Sequence, residues 1–125
     1  MILVDTSVWV DHLRIGNAQL AGLLEANAVL IHPYIVGEIA CGSLTDRAWT
    51  LELLQQLPMA DVAEPVEVLA YIELKCLHGK GIGYVDVHLL ASTAIAGVAL
   101  WTLDKKLRTL ARQLGCAMPA SARLY

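Results

Sequence analysis

The sequence predicts a single α/β domain over residues 1–125, with a short central, mostly parallel sheet flanked by helices. Three observations carry this expectation. The runs Ile2–Val4, Val29–Ile31 and Val98–Thr102 are apolar without alternation, as strands buried on both faces are. Helical segments closed by Gly or Pro lie between them, so strand and helix alternate along the chain. At 125 residues, 57% hydrophobic and 17% charged, the chain can bury one proper core and is too apolar for disorder.

The elements follow in order. Ile2–Val4 is the first strand, and Ser7–Arg14 a helix stopped near Gly16. A second helix, Ala18–Glu25, carries Leu20, Leu23 and Leu24 on one face. After the strand Val29–Ile31, Pro33 suits the first turn of a helix that runs to about Cys41, before Gly42. Thr45 and Asp46 open another helix, through about Gln56 and closed before Pro58. Met59–Val62 reads as a brief strand, and Glu64 and Pro65 open a helix to about Leu77. The loop Gly79-Lys80-Gly81-Ile82-Gly83 fits neither common phosphate-binding glycine pattern and reads as a flexible connector. Val85–Ala96 is helical, Gly97 caps it, and Val98–Thr102 is a strand. Asp104 opens the last helix, which runs to about Leu114 before Gly115, and an edge strand is expected near Leu124.

Several classes are excluded. The longest apolar window, Leu89–Leu103, is too short for a membrane span and is split by Ser92, Thr93, Gly97 and Thr102. The N-terminus meets Asp5 without a basic region, unlike a signal peptide. Cys41, Cys76 and Cys116 form no CxxC pair, so they suit a reduced cytoplasm and read as small core hydrophobes. The apolar excess points to a subunit contact as well as a core. The net charge of −3 hides an asymmetry. Lys105, Lys106, Arg108, Arg112 and Arg123 face no acid after residue 104, and such a basic segment points to a polyanionic partner.

Four acids share a setting. Asp5 and Asp104 stand directly at the ends of apolar strands and at the starts of helices. Glu38 lies about one turn into the helix after the second strand, and Asp86 begins the helix after the glycine loop. In a parallel sheet such ends point the same way, so the four carboxylates converge on one edge. Convergence needs a cause, because like charges repel and burial disfavours each. A hard divalent cation, Mg²⁺ or Mn²⁺, resolves the conflict. Each acid also has a plainer reading. Asp5, Asp86 and Asp104 are good helix caps. Glu38 is harder to explain that way, because Ile35, Val36, Ile39 and Ala40 imply apolar surroundings.

The run LVDTSVWVDHLR, then GEIACG, GIGYVDVHLLAS and LWTLDKKL resembles the PIN-domain proteins, specifically VapC-type ribonuclease toxins, over nearly the whole chain. The resemblance implies a PIN-like fold and endonucleolytic cleavage of RNA. It implies that Asp5, Glu38, Asp86 and Asp104 hold one or two Mg²⁺ or Mn²⁺ ions. Ser7, in the family's Asp-x-Ser position, would orient Asp5, and Thr102 would support Asp104 in the same way. The expected partners are RNA, a second copy of the chain and a cognate antitoxin that plugs the site. Arg14, Lys105, Lys106 and Arg108 are the candidates for RNA phosphate contacts. Family members often carry an aromatic residue shortly after the last acid, where this chain has Lys105-Lys106-Leu107.

The other side chains have plainer assignments. His12 reads as a surface or interface residue rather than a base, and His88 points away from Asp86 on its helix. His32 caps its helix. Trp9, Trp49 and Trp101 sit in apolar runs and suit core or dimer packing. Three competing functions stay open. A phosphatase with Asp5 as nucleophile wants an acid where Ser7 stands. A phosphoacceptor domain wants an acidic pair beside its acceptor. A purely dimerising interaction protein has no need to concentrate repulsive charge.

Overall fold

Leu3 and Val4 expose no surface at all, and a strand so apolar on both faces belongs in the middle of a sheet. The computed structural model, which describes residues 1–119, places it there. Strand β1 (Ile2–Val4) lies between β2 (Val29–Leu30) and β3 (Ala99–Trp101), in the order β2-β1-β3. All pairing is parallel, with Ile2 opposite Val29 and Ala99, Leu3 opposite Leu30 and Leu100, and Val4 opposite Trp101.

Seven helices cover this sheet among the described residues: α1 (Thr6–Ile15), α2 (Ala18–Glu25), α3 (Pro33–Ala40), α4 (Arg47–Gln55), α5 (Pro65–Lys75), α6 (Tyr84–Ala96) and α7 (Lys105–Gln113). Their ends follow local chemistry. Asn17 caps α2 by accepting the Leu20 N–H at 3.0 Å. His32 caps α3, its Nδ1 accepting the Tyr34 N–H at 3.0 Å, with Pro33 at the first helical position. Gly97 ends α6 at φ +67°, a conformation that disfavours a side chain. Helix α6 is the core helix, buried without interruption from Val87 to Thr93. Helix α7 is two-faced: Leu107, Leu110 and Ala111 are buried while Lys105, Lys106 and Thr109 face water.

The strand order positions the site. The chain leaves β1 for one side of the sheet and later returns to the other side as β3. The carboxyl end of β1, beside β3, is therefore the switch point where a crevice opens. Asp5 stands at that end, one residue beyond Val4.

Three expectations need correction. Met59–Val62 forms no strand and keeps only a parallel bridge of Met59 to Ile31, with Ala60 N–H donating to the Ile31 carbonyl at 2.7 Å. Proline at 58 and solvent beyond Ala60 leave it too short to continue. The cysteines are not core residues: Cys41 and Cys76 are exposed and Cys116 is half-buried. The expected edge strand near Leu124 lies outside the described residues, although Ala117 already bridges Leu100 in parallel. Among the described residues no helix is long and apolar enough to cross a membrane. Several large apolar side chains remain in water, notably Val66, Leu69 and Leu74 on α5 and Trp49 on α4.

Candidate functional site

The site begins with two small hydroxyl residues from opposite ends of the chain. Asp5 follows β1 and its backbone N–H donates to the Trp101 carbonyl at 2.9 Å, extending the sheet by one rung. Its backbone carbonyl accepts the Val8 and Trp9 N–H groups, so helix α1 starts there. The carboxylate makes no capping bond, which overturns the reading of Asp5 as a side-chain cap. Instead Ser7 Oγ donates to Asp5 Oδ2 at 2.9 Å and Thr102 Oγ1 donates to the same oxygen at 2.7 Å.

The proton directions are fixed by the other partners. Ser7 Oγ accepts the Leu103 N–H at 3.0 Å, and Thr102 Oγ1 accepts the Asp104 N–H at 3.0 Å. Each hydroxyl has one proton to give, so both protons point at Oδ2. The 3.4 Å approach of the two hydroxyl oxygens is then a consequence of their shared acceptor. Asp5 is only 6% exposed, and the two donors offset part of the cost of burying its charge. Ser7 thus stands where the sequence pattern implies. Thr102 does not support the Asp104 carboxylate; its hydroxyl is given to Asp5 and receives only the Asp104 backbone.

The other acids approach from three elements. Asp104 is the N-cap of α7, its Oδ1 accepting the Leu107 N–H at 2.9 Å. Glu38 lies on α3 and is exposed, so the apolar surroundings expected of it are absent. Its neighbours Ile35, Val36 and Ile39 turn into the core on the adjoining face of the helix, leaving Glu38 in water. Thr6 donates its hydroxyl to Glu38 Oε1 at 2.6 Å and ties α1 to α3. Asp86 sits in the first turn of α6 and its Oδ2 accepts the Gly83 N–H at 3.2 Å.

Asp86 reports on the whole group. Burial pushes its carboxyl above the usual range, and the Gly83 N–H works against that. The charges of Asp5, Asp104 and Glu38 add to the rise, and no cation is among the groups acting on it. Asp86 is therefore near enough to feel each of the other three acids. The four do not form a ready cage: among the described residues no three His, Cys, Asp or Glu side chains are grouped to hold a metal ion. The donor set fits a hard divalent ion in chemistry, because it consists of carboxylate and hydroxyl oxygens.

The basic candidates divide by position. Lys105 and Lys106 are exposed on the first turn of α7, beside Asp104, and Arg108 follows half-buried. Arg14 is exposed at the end of α1 and lines a groove of about 610 Å³ between α1, α3 and α4, with Glu38 and Trp49 also on its walls. The histidines stay out of the carboxylate group. His88 packs edge-on against Tyr84 and Tyr34, with ring centroids 4.6 and 4.8 Å apart. His12 Nδ1 accepts the Asn17 N–H at 3.0 Å at the end of α1. Trp9 and Trp101 are core residues, whereas Trp49 is 65% exposed.

Comparison with known proteins agrees with this geometry. The family described as PIN domain matches residues 2–113. Ribonuclease VapC32 of Mycobacterium tuberculosis, from strain CDC 1551 / Oshkosh, is 43% identical over 119 residues, which span 94% of this chain and 96% of the relative. The same protein from strain ATCC 25618 / H37Rv matches equally. With a parallel three-stranded sheet and likeness along nearly its whole length, the chain belongs to the PIN-domain family, in its VapC-type branch.

Proposed function

We propose that this protein is a metal-dependent endoribonuclease, the toxin of a toxin–antitoxin pair, and that Asp5, Glu38, Asp86 and Asp104 are its catalytic acids. The observation that carries the reading is the pair of hydroxyls on Asp5 Oδ2, which hold a buried carboxylate in one posture, while the charges of Asp5, Asp104 and Glu38 all act on Asp86. A purely structural acid needs no such company. The VapC ribonuclease relatives support the reaction class.

The residues divide the work. Asp5, Glu38 and Asp86 would hold the main Mg²⁺ or Mn²⁺, and Asp104 would help hold it or a second ion. When bound, the ion supplies charge neutralisation at the phosphodiester and a water of lowered pKa. Ser7 and Thr102 keep Asp5 Oδ2 engaged, so Oδ1 is the oxygen these hydroxyls leave for a ligand. Thr6 restrains Glu38, an exposed side chain that would otherwise sample many rotamers. Lys105, Lys106, Arg108 and Arg14 would contact RNA phosphates around the crevice. The exposed apolar residues of α5 support a homodimer, and the groove between α1, α3 and α4, with Glu38 on its wall, suits an antitoxin segment that reaches the site.

The test is cleavage of a structured RNA pool in Mg²⁺, Mn²⁺ or EDTA, beside folded Asp5→Asn and Asp86→Asn variants. Discrete fragments that require metal and vanish in both variants are expected. Cleavage that survives both substitutions would place the chemistry elsewhere.

A further inference from the structure

The loop Gly79–Gly83 has no role in the account so far, yet its glycines are not equivalent. Gly79 and Gly81 both adopt left-handed backbone, at φ +67° and +78°. A Cβ added at Gly79 would meet nothing within 4 Å. A Cβ at Gly81 would fall 2.8 Å from Lys106 Nζ, 3.1 Å from its Cδ and 3.4 Å from its Cε. The end of the Lys106 side chain therefore lies across the bare α-carbon of Gly81, in space that any other residue would fill.

The placement of that ammonium is specific. Lys106 is two residues past Asp104 on α7, and Gly81 is two residues before Gly83, whose N–H holds Asp86 Oδ2. The cation thus bridges the two elements that carry the third and fourth acids. A long lysine in water has several rotamers open to it, and a fixed rest for its stem reduces the cost of holding the charge in one place.

We propose that Gly81 is a positioning residue for RNA binding, acting through Lys106: the missing side chain seats the lysine so that its ammonium meets a backbone phosphate next to the one being cut. This rests on the ribonuclease reading above and gives the glycine loop a part in it. The chemistry recognised is a single-stranded phosphodiester backbone, without base selectivity.

The experiment measures binding of a short fluorescein-labelled single-stranded RNA of mixed sequence, in EDTA to prevent cleavage, between about 50 and 200 mM salt. Lys106→Ala is expected to weaken binding several-fold and to lower the slope of log affinity against log salt by about 0.7 to 1. Gly81→Ala should reproduce that loss, and adding it to Lys106→Ala should change nothing further. Gly79→Ala carries the same backbone strain without touching Lys106, so its slope should match the unmodified protein. Gly81→Asn, whose side chain tolerates left-handed backbone while still placing a Cβ there, should behave as Gly81→Ala and covers the case of a poorly folded alanine variant. The inference is overturned if the position-81 variants keep the full slope or match Gly79→Ala, or if Lys106→Ala has no effect. If the unmodified protein neither binds nor cuts RNA, the ribonuclease reading fails and this inference with it.

Discussion

Thr102→Val isolates the hydrogen bond on which the site depends. Valine matches threonine in shape and suits the residue after a strand, so packing at this 2% exposed position is conserved and only the hydroxyl is lost. Two partners then go unmet. Asp5 Oδ2 loses a 2.7 Å donor, and the Asp104 N–H loses its 3.0 Å acceptor. A hydrogen bond to a charged group contributes about 1.5–3 kcal/mol and a neutral one about 1 kcal/mol, so the expected loss is about 2.5–4 kcal/mol. Against a typical domain stability of about 5–15 kcal/mol the variant stays folded, with Tm lower by on the order of 10 °C. Ser7→Ala removes the other donor to the same oxygen, from a less buried position, and should cost less. The double variant leaves Oδ2 bare, so its loss should exceed the sum of the two by about 0.5 kcal/mol or more. Urea unfolding followed by circular dichroism gives all three values. Ribonuclease activity should fall about 10- to 100-fold in each single variant, as when a group orienting a metal ligand is removed. A Thr102→Val protein within about 0.5 kcal/mol of the parent would refute the argument that this hydroxyl holds the carboxylate.

Two further predictions concern titration. Asp86 has its carboxyl raised by burial and by three acids, so its charged form destabilises the fold as pH rises through its folded value. Asp86→Asn should therefore be the more stable protein in EDTA at neutral pH, with the difference closing as pH falls below 3.8, and it should gain less than the parent from Mg²⁺. Thermal melts in the two buffers check this, and a less stable variant in EDTA contradicts it. His32 is held down to about 4 from 6.5, by burial first and by His88 second. The unfolded chain takes up its proton before the folded one does, so stability should fall by on the order of 3 kcal/mol between pH 6.5 and 4. His32→Asn keeps a capping acceptor for the Tyr34 N–H and removes the titration, so unfolding free energies measured across that range should fall less steeply. An unchanged slope would assign the acid sensitivity to other groups.

What was legible in the chain follows from what is local. Helix ends announced themselves through His32, Pro33 and Gly97, each of which acts on backbone within four residues. The strands were visible because burial on both faces removes alternation, and the order of strand and helix implied parallel pairing. Wrong or missing readings concern partners that are distant in sequence. Thr6 meets Glu38 across 32 residues and Thr102 meets Asp5 across 97, and no spacing rule links them. Glu38 was placed in apolar surroundings because its neighbours in sequence are apolar, but a helix turns neighbours to different faces. The cysteines failed similarly, since composition cannot tell which side of a helix end meets water.

The grip on Asp5 also sets an order of events during synthesis. Its two donors become available at very different times, because Ser7 is made at once and Thr102 only after 95 further residues. Until β3 has docked beside β1, the carboxylate has one of its two restraints and lacks the acid that follows Thr102. On the ribonuclease reading, a chain whose β3 has not yet docked would lack catalytic activity. Activity would then be a late event of folding, arriving when the last of the three strands joins the sheet.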